Sequence, residues 1–134
     1  MIIGIGNDLA NIERIKKSIE KFGQRFTNKI FSEEEQAELS KRRKISAHEY
    51  ACSAARRFAA KEACSKALGT GFRQGVFWPD LIITHTPAGK PELRLRGNAA
   101  NHLAALSGNT PCRLHVSMTD DYPWAQAFVI IETI

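Results

Sequence analysis

The sequence lacks the features that mark several large classes of protein. No apolar run approaches the roughly 18–20 residues that cross a bilayer, and no basic segment precedes an apolar stretch at its start. We therefore expect neither a membrane partner nor a signal peptide. The cysteines form no CxxC pair, and there are only three: Cys52, Cys64 and Cys112. An odd, unpaired set argues against a disulfide framework or structural zinc, and favours a reducing cytoplasm.

Common catalytic motifs are also missing. The chain has no Walker lysine loop, GxSxG nucleophile turn, HExxH metal motif or aromatic RNA-binding signature. Gly4-Ile5-Gly6 is not a dinucleotide fingerprint, because the third glycine is absent. What remains is a chain of 134 residues, 43% of them hydrophobic, which is enough for one domain with a real core.

Positive charge is concentrated in the first half. Residues 1–67 carry 14 basic against 9 acidic residues, whereas residues 68–134 carry 5 of each. Such clusters suit an acidic partner, which can be nucleic acid, an acidic protein or a phosphorylated small molecule. Solvated helix faces explain them equally well. The excess lies in Arg14, Lys16, Lys17, Lys21 and Arg25, and in the run Lys41 to Lys44.

The pattern of the first half predicts one strand followed by helices. Apolar spacing and capping signals give their limits. Alanine-rich composition makes the last helix the longest, and Cys64 within it is expected to pack in the core. The predicted elements are a buried strand Ile2 to Gly6, a helix from Asn11 to Gly23, a helix opened by Ser32 and Glu35 through about Lys44, and a helix opened by Ser46 and Glu49 and stopped by Gly69.

The second half changes to the alternation that is typical of strands. Its predicted strands, with one helix between the second and third, indicate an α+β fold, in which an antiparallel sheet packs on the long central helix within a single domain over residues 1–134. The strands are Leu81 to Thr84, Glu92 to Arg96, Arg113 to Thr119 and Ala125 to Glu132, and the helix is capped by Asn98 and closed by Gly108.

Three charged residues of the long helix, together with one aspartate, are candidates for a metal- and phosphate-binding site. Glu62 and Lys66 are four residues apart and share a face, and Arg57 is expected near the edge of that face. An exposed ion pair is the simple explanation, as a turn or cap is for Asp8. Because apolar residues surround the helical charges, a site is also indicated. Asp8 and Glu62 would hold Mg²⁺, completed by substrate phosphates that Lys66 and Arg57 neutralise.

A strand near the end of the chain has one polar face. His115, Ser117 and Thr119 alternate with apolar residues, so they lie together on one side of the predicted sheet. That face meets water or a ligand. His85 and His102 have no evident companions and are interpreted as structural.

Longer motifs resemble a known family. Gly4-Ile5-Gly6-Asn7-Asp8, with Arg14 six residues on, resembles the opening motif of bacterial holo-acyl-carrier-protein synthases. The block from Arg57 to Gly71 is similar to their central motif nearly without a gap. Gly89-Lys90-Pro91 and the segment from His115 to Asp120 match in order. Asn7 departs from the Thr or aliphatic residue common in the family, and Thr84 to Pro87 departs from an Asn-containing stretch.

The resemblance implies an Mg²⁺-dependent 4'-phosphopantetheinyl transferase. Such enzymes move the phosphopantetheine arm of coenzyme A to a serine of apo-acyl carrier protein, make adenosine 3',5'-bisphosphate and serve fatty acid synthesis. The small bacterial members are homotrimers with sites at subunit interfaces. An acidic carrier fits the basic first helix, and nucleic acid and membrane are not expected partners.

The same resemblance implies roles for individual residues, according to the motif positions that they match. Asp8 and Glu62 match the magnesium ligands, which with Lys66 form the catalytic set. Lys66 and Arg57 match residues near the coenzyme A phosphates, and Arg14 matches a docking position that charge extends to Lys17, Lys21 and Arg25. The nucleotide wall would comprise Ser65, Gly69, Thr70 and, from a neighbouring subunit, the strand with His115 and Ser117.

Two other readings explain parts of the sequence. A basic nucleic-acid-binding domain accounts for the charge, but leaves Asp8 and Glu62 without a purpose. A Mg²⁺-dependent phosphohydrolase would use the same two carboxylates without an acceptor protein.

Overall fold

The computed structural model describes all 134 residues as two layers, helices against an antiparallel sheet. None of the helices is both long and apolar enough to cross a bilayer. The elements in chain order are β1 (Ile2–Asn11), α1 (Ile12–Phe22), α2 (Gln24–Ile30), α3 (Glu33–Ile45), α4 (Ala47–Leu68), β2 (Leu81–His85), β3 (Pro91–Leu95), α5 (Gly97–Ser107), β4 (Cys112–Asp121) and β5 (Trp124–Thr133).

The main sheet has the order β1-β5-β4, and all its pairings are antiparallel. Its inner face packs on α4, through β5 residues that include Ala127, Val129 and Ile131. Strands β2 and β3 form a separate hairpin. The predicted α+β fold, with a sheet on a long central helix, is confirmed.

Two glycines allow β1 to lie directly on α4. A Cβ atom at Gly6 would overlap the carbonyl oxygen of Ala63, and one at Gly4 would overlap that of Ala67. Both positions therefore require glycine for the close backbone approach. Because side chains alternate along a strand, Asp8 points to the same side as Gly4 and Gly6.

Strand β1 is longer and less buried than predicted. It continues to Asn11, so Asp8 lies within the strand and not beyond it. Ile5 and Leu9 are 60% and 57% exposed, since only one face of this edge strand meets α4.

The predicted helix caps are partly confirmed. Asn11 accepts from the Arg14 amide at 3.2 Å, and Ser46 accepts from the Glu49 amide at 3.0 Å, although without the reciprocal bond of a capping box. Asn98 does not cap α5, which begins at Gly97 without a side-chain cap. Helix α2 was not predicted, because its first residue follows directly on Gly23, a stop signal for α1.

A buried ion pair joins α3 to α4. Ser32 and Glu35 form the predicted capping box, and Glu35 also accepts from Lys61 Nζ at 2.6 Å and from the Ile83 amide at 3.2 Å. Lys61 also donates to the carbonyls of Trp78 and Leu81. Both side chains are fully buried. Burial lowers the pKa of Lys61, which the charge of Glu35 opposes.

Loss of this lysine should destabilise the fold. Lys61→Met leaves the Glu35 carboxylate buried without its partner, so we expect the free energy of unfolding to fall by about 3–5 kcal/mol. Lys66→Met on the same helix is the control, because Lys66 is half exposed and its pair contributes about 0–1 kcal/mol. Urea unfolding measures both, and equal losses in the two variants would contradict the assignment.

Candidate active site

The fold brings three of the predicted site residues together. Asp8 of β1 faces α4, where Lys66 Nζ lies 3.0 Å from its Oδ1 and 3.1 Å from the carbonyl oxygen of Asn7. Glu62 stands one helical turn before Lys66 on the same face. Residues 54 positions apart in sequence thus share one site.

Glu62 is half-buried, and its carboxylate has no hydrogen-bond or ion-pair partner. Burial raises its pKa, the negative charge of Asp8 raises it further, and Lys66 acts in the opposite direction. Two carboxylates held this way gain from a cation placed between them.

These carboxylates open into a cleft of about 380 Å³ between β1, α1 and α4. Arg14 lines the same cleft, so α1 contributes a basic side chain to its wall. Apolar wall is supplied by Ile15, Phe26 and Phe58. The cleft therefore combines a carboxylate pair, the basic side chains of Arg14 and Lys66, and an apolar surface.

The cleft fits a hard, oxygen-preferring cation better than a metal held wholly by protein. No three His, Cys, Asp or Glu side chains come together to hold a metal ion. Mg²⁺ commonly uses one or two carboxylates and takes its remaining ligands from water and phosphate. Asp8 and Glu62 match that limited set.

Arg57 is not part of this group, so its predicted position near the Glu62 face is wrong. Five residues correspond to a rotation of about 140° around a helix, which turns Arg57 towards α3. There it donates to Ser53 Oγ at 2.7 Å and pairs with Glu38. The side chain is 3% exposed, and its Nε has no hydrogen-bond partner.

A second, basic pocket surrounds Arg57. It encloses about 350 Å³, and Glu38 is its one acidic residue. His85, which was interpreted as structural and without companions, lies in this pocket 3.4 Å from Glu38 and from Arg57. The remaining lining residues are Lys41, Arg42 and Ile45. Two residues of the basic run Lys41 to Lys44 thus lie beside Arg57 of α4 in this pocket.

The residues at the end of α4 are engaged within the fold. Ser65 is buried, and its hydroxyl donates to the Glu62 carbonyl at 2.7 Å. Gly69 ends the helix with a left-handed φ of 80°. Thr70 donates to the Gly71 carbonyl at 2.8 Å. Cys64 is fully buried in the core, and burial raises the pKa of its thiol to about 12, so it packs as an inert residue.

His115 and Ser117 lie on the outer face of the main sheet, away from α4. Asp8 faces inward, so the histidine and the carboxylate cleft occupy opposite sides of the sheet within one chain. His115 Nε2 lies 2.8 Å from Glu132 Oε1. Thr119, the third residue of the predicted polar face, is also exposed.

The basic face of α1 lies next to a depression formed by the end of α1 and by α2. Arg14, Lys17 and Lys21 of α1 are exposed, and so is Arg25 at the start of α2. Beside them, an apolar and basic depression joins α1 to α2, and sequence reasoning missed it. Its lining residues are Phe22, Arg25, Phe26 and Lys29.

Comparison with known proteins decides the family. Residues 4–127 match the family model described as 4'-phosphopantetheinyl transferase superfamily. A holo-[acyl-carrier-protein] synthase of Methylobacterium sp. (strain 4-46) is 56% identical over 135 residues, which cover all of this chain and 96% of that protein. The chain belongs to this superfamily. As a member it is an enzyme, a phosphopantetheinyl transferase.

Solved transferase structures share the fold. The holo-[acyl-carrier-protein] synthase of Neisseria meningitidis superposes with a TM-score of 0.82 at 38% identity, covering 99% of this chain and all of that one. The Helicobacter pylori enzyme, solved in complex with coenzyme A, has a TM-score of 0.78 at 28% identity, covering 96% and 99%. In both comparisons the structural similarity extends over nearly the whole chain.

Proposed function

We propose that this transferase moves 4'-phosphopantetheine from coenzyme A to a serine of apo-acyl carrier protein, with Mg²⁺, and releases adenosine 3',5'-bisphosphate. The cleft in which Asp8, Glu62 and Lys66 meet carries the proposal, because it joins a carboxylate pair to a lysine that can bind phosphate. The coenzyme A complex of the similar H. pylori enzyme supports the donor. The proposed product serves fatty acid biosynthesis in the cytoplasm.

Asp8 and Glu62 would hold Mg²⁺ in this proposal. When bound, the cation neutralises charge on the pyrophosphate of coenzyme A. The unpartnered Glu62 carboxylate and its raised pKa support this assignment, since both reflect a negative site without enough positive charge.

The proposed reaction is one displacement at phosphorus. The serine oxygen forms a bond to the phosphorus that carries the pantetheine, and the bond from that phosphorus to the pyrophosphate bridging oxygen breaks. Lys66 exchanges its bond to Asp8 for one to a phosphate oxygen and stabilises the charge that develops there. The serine proton passes to Glu62 or to a water molecule.

The pocket around Arg57 supplies a second anion-binding surface. Coenzyme A carries a 3'-phosphate besides its pyrophosphate, and we propose that Arg57 and Arg42 neutralise that phosphate. Ser65, Gly69 and Thr70 at the end of α4, with His115 and Ser117 from a neighbouring subunit, complete the proposed nucleotide wall.

We propose a homotrimer, the state that the family resemblance implies, with the outer face of the main sheet as its interface. Besides Ile5 and Leu9, this face exposes Trp124 and Phe128, at 47% and 40%. Contiguous apolar surface of this kind marks protein interfaces. His115 and Ser117 share the face, so a neighbouring copy packed there would receive them beside its own cleft.

The basic face of α1 is the proposed docking surface for the acidic carrier protein. Arg14 lies inside the cleft, and Lys17, Lys21 and Arg25 extend the charge outward. Phe22 and Phe26 add apolar contact beside them. Carrier bound along this face would have its serine near the carboxylate pair.

The reaction is tested by incubating the protein with apo-acyl carrier protein, coenzyme A and Mg²⁺. We expect mass spectrometry to show a gain of about 340 Da on the carrier, the mass of the transferred group in this covalent step. The gain should vanish with a chelator. Phosphate ester hydrolysis without any carrier modification would instead favour a phosphohydrolase.

Removal of the Glu62 charge should abolish most activity. Glu62→Gln keeps the shape of the side chain but removes a cation ligand and a proton acceptor, so we expect kcat to fall about 100-fold or more. The same change at exposed Glu92 on β3 is the control and should leave kcat unchanged. Full activity of Glu62→Gln would remove this residue from both roles.

Carrier docking should depend on the charge of α1. The double variant Lys17→Gln/Lys21→Gln loses two surface contacts to an acidic partner, so we expect the KM for the carrier to rise about fivefold and to vary less with salt. The KM for coenzyme A should stay constant. Lys90→Gln/Arg73→Gln removes the same charge from exposed positions elsewhere. An equal rise in that variant would indicate net charge alone and contradict the docking surface.

A further inference from the structure

On the outer sheet face, His115 has a hydrogen-bonded partner, Glu132, to which the proposed reaction gives no role. His115 on β4 and Glu132 on β5 are diagonal neighbours on that face, 2.8 Å apart between Nε2 and Oε1. The residue directly across from Glu132 is Arg113, yet the carboxylate accepts from the histidine and forms no hydrogen bond with the arginine.

This arrangement leaves one ring nitrogen of His115 free. Nε2 is directed at Glu132, so only Nδ1 remains to meet a ligand. The hydrogen bond from His115 holds the pKa of Glu132 below its usual range, with further lowering from Arg113 and the terminal amino group of Met1. Glu132 is therefore an anion that fixes the ring plane and keeps a proton on Nε2.

We propose that Glu132 is a positioning residue for coenzyme A, which orients His115 so that Nδ1 meets an anionic oxygen of the nucleotide. The inference rests on the proposed function, in which His115 belongs to the nucleotide wall. With Nε2 bonded to Glu132, Nδ1 is the ring nitrogen that is free to form a hydrogen bond with a phosphate oxygen. Glu132 itself does not touch the nucleotide.

Kinetics separate this role from a purely structural one. Glu132→Gln keeps an oxygen acceptor but loses the charge, and we expect the KM for coenzyme A to rise about threefold, with kcat and the carrier KM unchanged. Glu132→Ala should raise it further. In a His115→Ala background, Glu132→Ala should add nothing, because the two residues act through one contact. An additional rise in that background would overturn the proposal.

A spectroscopic measurement tests the positioning without any activity. ¹⁵N NMR of the His115 ring should show Nε2 protonated in the wild type, and a mixture of tautomers in Glu132→Ala. The control Glu92→Gln should leave the ring signals unchanged. Identical His115 signals in the wild type and Glu132→Ala would overturn the proposal. If the wild type did not modify the carrier protein, the proposed function would be refuted. The NMR result on the orientation of the His115 ring would still stand.

Discussion

The close backbone approach of β1 to α4 is the constraint on which the site depends. Gly4 and Gly6 can touch the carbonyls of Ala67 and Ala63 only because neither side offers a larger side chain. The same alternation that directs these glycines inward also directs Asp8 inward. The Gly4-Ile5-Gly6 motif is thus a packing surface that sets the separation between a strand carboxylate and the charged side chains of α4.

Helix α4 carries charges with different purposes on different faces. Lys61 is fully buried and forms an ion pair with Glu35. Its neighbour Glu62 lines the cleft and has no hydrogen-bond or ion-pair partner. Arg57 faces α3 and the second pocket. Because both sites are built on α4, this one helix fixes the distance between the carboxylate cleft and the basic pocket. The buried Lys61–Glu35 pair opposes rotation of α4 about its axis.

Local signals in the sequence predicted most elements, because caps and apolar periods act over a few residues. The capping box at Ser32, the stop at Gly69 and the strand alternation around His115 are examples. Lys61 and Lys66 look alike in sequence, and tertiary packing alone decides which one is buried. The rotation of Arg57 was implied by its spacing, but its partner Glu38 belongs to another helix and could not be inferred.

The order of strands has a consequence for biosynthesis. Strand β5 lies between β1 and β4 in the sheet, yet it is the last of the three to leave the ribosome. Until it emerges, the first strand has no hydrogen-bonding partner and Asp8 has no fixed position. The sheet therefore assembles by long-range pairing after most of the chain has been made, which is a slow class of folding step. During translation, the nascent chain can hold helices but not the completed site.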